Sequence, residues 1–278
     1  DSVMVAQVAK KLASKVTCYV SGYPESEDVK NSIKAAEAMD LELRVAELSS
    51  KKIDEELENI MAAIESTNHL QVDVAIPIFF AVQQAKKDGV KVLLTGQAAD
   101  ELFAGYSWYP QVLEQKGPEY LNKGLWNDIR NLYKDTLERE DKITMYHSIE
   151  LRVPFLDPEV IYVAMSMSEK LKIRDGKVKY IHRKLAEKIG VPKFLAWRPK
   201  EAAQHGSNVH KELKKVLKKR KNKLDIPKKS KKSSLRAEKA EKLGSLYRYS
   251  IEGDEDIEAY RQDSKYQKIL DHIDEENG

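Results

Sequence analysis

The residues with the most chemical potential in this 278-residue chain lie in LLTGQAADELFAGY, residues 93–106. An apolar strand pattern ends at Thr95, and Gly96 permits close backbone approach at the strand end. Asp100 and Glu101 follow, where a helix is expected to begin. A carboxylate there can hold Mg²⁺ against a triphosphate, because magnesium takes one or two protein carboxylates plus phosphate oxygens. The plainer alternative is a glycine turn and an acidic helix start stabilised by the helix dipole. The local pattern leaves both open.

Three further stretches carry reactive side chains. Asp1 and Ser2 precede a small-residue helix pattern, and a helix amino terminus attracts anions; the alternative is a plain helix cap. In SIELRVPFLDP, 148–158, Arg152 stands between a helix and an X-Pro corner. It can clamp a carboxylate bidentately or simply pair with Glu150 or Asp157. In LAWRPKEAAQHGS, 195–207, a lysine such as Lys200 can meet phosphate as a point charge, and so can Lys179 at the start of a predicted helix. The ordinary fate of either lysine is solvation. His69, His147, His182, His205, His210 and His272 show no metal-ligand spacing. No nucleophile elbow, Walker A loop or dinucleotide fingerprint occurs. Cys18, the one cysteine, sits in a strand pattern and reads as core. It excludes a disulfide framework and a cysteine-based zinc site.

These residues need a scaffold, and the first half supplies one by alternating helix and strand patterns. Residues 3–14 are helical in spacing. Residues 16–21 (VTCYVS) form a β-branched run ended by Gly22. Ser26 can cap a helix to Met39, with Glu27 and Asp28 favouring its first turn. Residues 41–48 alternate as a second strand, and Ser49 or Ser50 opens a helix to about 65. A helix over 73–87 contains Pro77 and a kink is expected there. Residues 90–95 (VKVLLT) read as a buried third strand. Such alternation predicts an α/β fold with a parallel sheet flanked by helices on both faces, and ligands beyond the carboxyl ends of its strands. From about 110 to 189 the patterns are helical, clearest at 126–137, 141–149 and 158–167.

Composition fits a globular chain, 41% hydrophobic and 33% charged, with 48 Lys and Arg against 45 Asp and Glu. That balance argues against a general nucleic-acid binder. It conceals a basic run at 211–232, where twelve Lys or Arg face only Glu212 and Asp225. The run reads as a solvated helix face leading into a linker. It lacks the interleaved aromatics that stack on bases, though RNA is not excluded. The apolar stretches at 74–82 and 90–94 are too short to span a bilayer. No secretory pattern is seen, so a cytoplasmic protein without a membrane partner is expected.

Taken in order, these blocks resemble the synthetase domain of asparagine synthetases. LLTGQAADELFAGY is similar to that family's strand–SGEGSDE–FGGY block, and SIELRVPFLD to its ARVPFLD block. VKYIHRKLAEKIG resembles its lysine-bearing helix, and LAWRPKEAAQHGS its WR-x-K-E block. Asp1-Ser2 matches the end of its SGGxDS pyrophosphate loop. The resemblance implies an ATP-pyrophosphatase fold with a largely helical second half, spanning 1–208, and leaves 209–278 as a basic, then acidic, extension. It implies adenylation of the side-chain carboxylate of aspartate by ATP, then attack by ammonia to give asparagine, AMP and pyrophosphate.

Roles carry over residue by residue. Asp1 and Asp100 would hold Mg²⁺. Ser2 would bind pyrophosphate, and Val20, Ser21 and Gly22 would contact adenine. Gly96 and Gln97 would line the adenylate, Lys179 and Lys200 would neutralise phosphate charge, and Glu101 and Arg152 would face the acceptor. Gln97 stands where some members carry a glutamate proposed as a base; an amide takes no proton but can still donate a hydrogen bond. Ala98 and Ala104 replace glycines. The family's SGG is absent before Asp1, and a cut in the sequence there is expected. Partners implied are aspartate or a similar carboxylate, ammonia, a glutaminase and a second copy of the chain. Two other readings stand beside this one: adenylation of another carboxylate or a tRNA base, and a non-catalytic nucleotide-binding protein.

Overall fold

A computed structural model describes residues 1–198, 207 and 209–223. Helix α1 (Ser2–Leu12) leads into β1 (Thr17–Gly22), α2 (Glu27–Met39) and β2 (Glu42–Glu47). Helices α3 (Ser50–Ile64) and α4 (His69–Lys87) follow, then β3 (Val92–Leu94) and the short α5 (Ala99–Leu102). The second half is helical: α6 (Tyr109–Leu132), a π-helical turn at Tyr133–Leu137 and α7 (Glu138–Tyr146). After β4 (Glu150–Arg152) come α8 (Pro158–Ser166), α9 (Glu169–Lys172), α10 (Tyr180–Lys188), α11 (Lys193–Ala196) and α12 (Val209–Lys223).

Local chemistry sets the helix ends. Ser49 accepts a hydrogen bond from the Lys52 amide and so starts α3. Asn68 does the same for α4 through the Gln71 amide. Asp40 and Glu65 close α2 and α3 in left-handed conformation. Helix α4 runs on through Pro77, and the Ser21 hydroxyl donates to the Pro77 carbonyl at 2.5 Å, tying β1 to it.

The strands pair in parallel, as the alternation predicts. β1 runs beside β2 from Thr17 opposite Glu42 to Gly22 opposite Glu47, and β3 runs beside β4. Two expectations differ from what is seen. Among the described residues the strands stand as two separate pairs, and β3, read as buried, leaves Val92 39% and Leu94 46% exposed because it has β4 alone beside it. β4 itself escapes the sequence pattern. Three residues, Glu-Leu-Arg, are too few to show alternation; they extend because the Glu150 amide donates to Lys91 and the Thr95 amide to Arg152.

The largest core joins α3, α4 and α12, with Ile53, Leu57, Ile60, Val72, Ile76, Val209 and Leu213 fully buried. A second cluster packs Leu102, Phe103, Leu132 and Phe155 around α5. A third joins α6 to Ile173. α12 contains the first part of the basic run, yet it lays Val209, Leu213, Val216 and Leu217 into the first core. Lysines occupy its outer face, as an amphipathic helix requires. Residues 224–278, most of the expected extension, lie outside the described residues. Among the described residues no helix is long and apolar enough to cross a membrane.

Candidate active site

The centre of the site is a lysine held by two carboxylates. Lys179 caps α10 in left-handed conformation, φ 55°, which turns its side chain inward. Its Nζ lies 2.5 Å from Asp1 Oδ2 and 2.8 Å from Asp100 Oδ1. Asp1 caps α1 and Asp100 stands in the first turn of α5, so three elements far apart in sequence meet at one ammonium. The lysine side chain is 8% exposed. Burial lowers its pKa, and Asp100 opposes that by favouring the charged form.

His182, one turn on along α10, points its Nε2 at Asp1 Oδ1 from 3.2 Å. Its ring packs against both Phe103 and Phe155, with centroids 5.0 and 5.4 Å away. Burial lowers its pKa to about 3, so at neutral pH it is an uncharged donor through Nε2–H. It orients Asp1 without adding charge. Its sequence signal is the spacing from Lys179, because residues three apart share a helix face; metal-ligand spacing alone does not reveal it.

Two glycines make the meeting possible. A Cβ on Gly105 would fall 2.0 Å from Asp100 Oδ1 and 2.1 Å from Lys179 Cε. A Cβ on Gly96 would fall 2.4 Å from the Ser2 nitrogen and 2.6 Å from the Asp1 carbonyl carbon. The end of β3 is thereby pressed against the start of α1, and Ser2 sits at that contact. Ala98 (φ 73°) and Ala104 (φ 54°) hold the left-handed region on either side of α5. Glycine adopts it freely, alanine at a cost.

The other predicted residues are distributed around this centre. Glu101 is buried and accepts a hydrogen bond from the Tyr106 hydroxyl. The Gln97 amide nitrogen donates to Glu140 Oε1 at 2.5 Å, a buried carboxylate that the sequence reading did not single out. Val20, Ser21 and Gly22 end β1, where the Tyr23 amide donates to the Ser207 carbonyl. They stand apart from the Asp1 cavity, but α2, which follows them, lines it through Asn31, Ser32 and Ala35. Arg152 does not join the cluster: its exposed guanidinium holds Glu150 at 2.8 Å. Lys200 lies outside the described residues. The chain leading to it is anchored, with Arg198 on Asp28 at 3.2 Å and Arg183 donating to the Ala196 and Arg198 carbonyls.

A cavity of about 280 Å³ is lined by Asp1, Asp100, Gly105, Lys179, His182 and Arg183. Gly105 and Arg183 also border a wider cleft of about 1110 Å³, where Tyr106 stacks on Trp108 and Lys177, Lys184 and Lys193 supply charge. The paired carboxylates offer hard oxygen donors of the kind magnesium prefers. Gly105 lets Asp100 and Lys179 occupy the place that a side chain there would take, and the cavity beside them holds about 280 Å³. The residues fit a magnesium polyphosphate.

Comparison with known proteins follows the same outline. The sequence model of the asparagine synthase family matches residues 1–119 and 112–263. A putative glutamine-hydrolyzing asparagine synthetase of Methanocaldococcus jannaschii is 34% identical over 250 residues, 79% of this chain and 46% of the relative. A glutamine-hydrolyzing asparagine synthetase of Saccharomyces cerevisiae is 30% identical over 161 residues, 54% of this chain and 28% of its own length. One from Arabidopsis thaliana is 27% identical over 207 residues, 72% and 35% respectively. The chain thus spans less than half the length of these curated relatives.

Proposed function

The chain belongs to the asparagine synthase family, and from that premise we propose that it is the synthetase part of an ATP-dependent amide ligase. Its fold is the α/β ATP-pyrophosphatase type with a largely helical second half. The proposed reaction adenylates the side-chain carboxylate of aspartate and transfers ammonia, giving asparagine, AMP and pyrophosphate. A free carboxylate is a poor electrophile because its leaving group would be oxide; adenylation replaces that with AMP.

The observation that carries this reading is the single ammonium of Lys179 shared by Asp1 and Asp100. The two carboxylates are the proposed magnesium ligands, and a bound Mg²⁺ would neutralise polyphosphate charge. Lys179 stands ready to move from carboxylate to phosphate, where a buried cation stabilises the charge developing on the leaving pyrophosphate. Ser2 and the first amides of α1 are proposed to bind that pyrophosphate. Val20, Ser21 and Gly22 are proposed to meet adenine by their backbone, and Gly96 to let the adenylate approach. Gln97 is proposed to hydrogen-bond at the acyl centre. Lys200 is the proposed second phosphate lysine. Glu101 and Arg152 are the proposed acceptor contacts; Arg152 would exchange Glu150 for substrate, a small cost for an exposed pair. The relatives are named glutamine-hydrolyzing, so ammonia is proposed to come from a glutaminase or from free ammonium.

The test is aspartate-dependent exchange of pyrophosphate into ATP, measured in the full-length protein with Mg²⁺, followed by ammonium addition. Exchange that needs aspartate, and asparagine once ammonium is present, is the expected result. ATP binding without aspartate-dependent exchange overturns the acceptor. The aromatic and basic cleft beside the site favours a second reading in that case, a bulkier acceptor such as a tRNA base, to be assayed the same way.

A further inference from the structure

Gln97 lies between Gly96, which is pressed on Asp1 and Ser2, and the α5 turn that carries Asp100. Its amide is anchored at one end only. Nε2 donates to Glu140 Oε1 at 2.5 Å, while Oε1 has no protein donor among the described residues, and the side chain is partly open. Glu140 belongs to α7 and is 3% exposed. Arg139, on the same helix, places Nη2 3.8 Å from the same carboxylate oxygen and is itself bound to Gln71 of α4 at 2.6 Å. Glu101 of α5 is the negative neighbour. This buried carboxylate has no role in the reaction as proposed above.

We propose that Glu140 is a positioning residue for amide formation, whose carboxylate holds the Gln97 amide nitrogen inward and so presents Gln97 Oε1 as the acceptor for an N–H of the incoming nitrogen nucleophile. The inference rests on the reading of the chain as an amide ligase. An amide side chain has a donor end and an acceptor end, and turning it over exchanges them. An ionised carboxylate only accepts, so it permits one orientation. A protonated carboxyl can donate its O–H to Oε1, and then the NH₂ end faces the site. An NH₂ facing ammonia donates to its lone pair, which is then engaged at Gln97 instead of directed at the acyl carbon.

The surroundings place this switch near neutrality. Burial pushes Glu140 up to about 7, with Arg139 and Gln97 opposing and Glu101 adding to the rise. The ionised, orientation-fixing form therefore prevails above about pH 7, and amide formation rises with pH through that value. The Gln97 position thereby keeps an acceptor without carrying a base of its own.

The experiment uses hydroxylamine as nucleophile, and rates are referred to the concentration of its neutral form at each pH, so that the nucleophile's own titration, at the lower end of the range, is taken out. Aspartyl hydroxamate formation and aspartate-dependent pyrophosphate exchange are measured on the same full-length protein between about pH 6 and about pH 8.5, and their ratio is followed. In the wild type the ratio is expected to rise about tenfold with a midpoint near 7. In Glu140→Gln it is expected to be low and independent of pH, and in Gln97→Met likewise, because Glu140 acts only through Gln97. The double variant is expected to lose no more than either single one. A wild-type ratio flat in pH, a step that survives in either variant, or additive losses would overturn the proposal. If Glu140→Gln does not fold, the survival or loss of the step in Gln97→Met decides it. Wild-type protein without aspartate-dependent exchange is a separate result: it removes the amide-ligase reading, and this inference with it.

Discussion

At the scale of single residues, the site depends on atoms that are missing as much as on those present. Gly105 leaves the space through which Asp100 and Lys179 meet; a methyl there would overlap both by more than an ångström. The two side chains could clear it only by giving up their contact, and the Asp100 Cα, 2.9 Å from the added carbon, is backbone. Gly105→Ala is therefore expected to lower aspartate-dependent exchange by about 100-fold or more, with a loss of a few °C in the unfolding midpoint. Unchanged exchange would show that the lysine–carboxylate contact is dispensable. Glu140 gives a second prediction, in stability. Its folded pKa, about 7, lies above the ordinary 4.5, so its protonated form is favoured by folding. That stability is fully present below about pH 4.5 and is lost as pH rises through 7. The shift corresponds to about 3 kcal/mol. Urea unfolding of wild type and Glu140→Gln should show the variant gaining on the wild type by up to that amount between pH 5 and 8. A difference independent of pH would place Glu140 in contact with water.

At the scale of elements, the sequence shows what local chemistry decides and hides what partners decide. β1 is legible from its β-branched run ended by Gly22 and β2 from its alternation, and α2 and α3 because serines stand where their caps are needed. β4 is not legible, since its extension is imposed by Lys91 and Thr95 across the pair. Asp100 and Lys179 can be singled out from sequence, but their meeting is a matter of three helix starts converging. The Gln97–Glu140 pair, 43 positions apart, has no sequence signal. The alanines flanking α5 show the same division. Read in sequence they are mild replacements; in the fold both carry positive φ while buried. A left-handed alanine costs about 1 kcal/mol, which cancels the methyl burial of about 0.8 kcal/mol. Ala98→Gly and Ala104→Gly are thus expected to change stability by less than about 1 kcal/mol. Ala99→Gly, in the α5 helix between them and equally buried, should cost about 2 kcal/mol, since it loses methyl burial and helix propensity together. Equal losses at 98 and 99, measured by chemical unfolding, would contradict the account.

At the scale of the molecule, the question is where the folded unit ends. Charge alone sets the boundary before α12, because the basic run begins there; apolar packing sets it after. Val209, Leu213, Val216 and Leu217 are at most 8% exposed and cover α3 and α4. The polar contacts agree: Ser50 donates to Glu212 at 2.8 Å, His210 meets Asp73, and Arg220 meets Asp54 and Glu58. At about 1.5–3 kcal/mol for each buried side chain, the four apolar residues contribute roughly 6–12 kcal/mol, an upper range that a compact unfolded chain reduces. Whole domains are stable by only about 5–15 kcal/mol. A chain ended after Ser207 should accordingly lose cooperative unfolding, exposing Ile53 and Leu57, whereas one ended after Lys223 should keep the midpoint of the full chain. Circular dichroism through a urea titration separates the two. If the shorter chain unfolds at an unchanged midpoint, α12 is an appendage and the unit closes at 208. If it collapses, the helix that looks most like a solvated basic arm is part of the scaffold, and through Ser207 it also holds the loop after β1 in place.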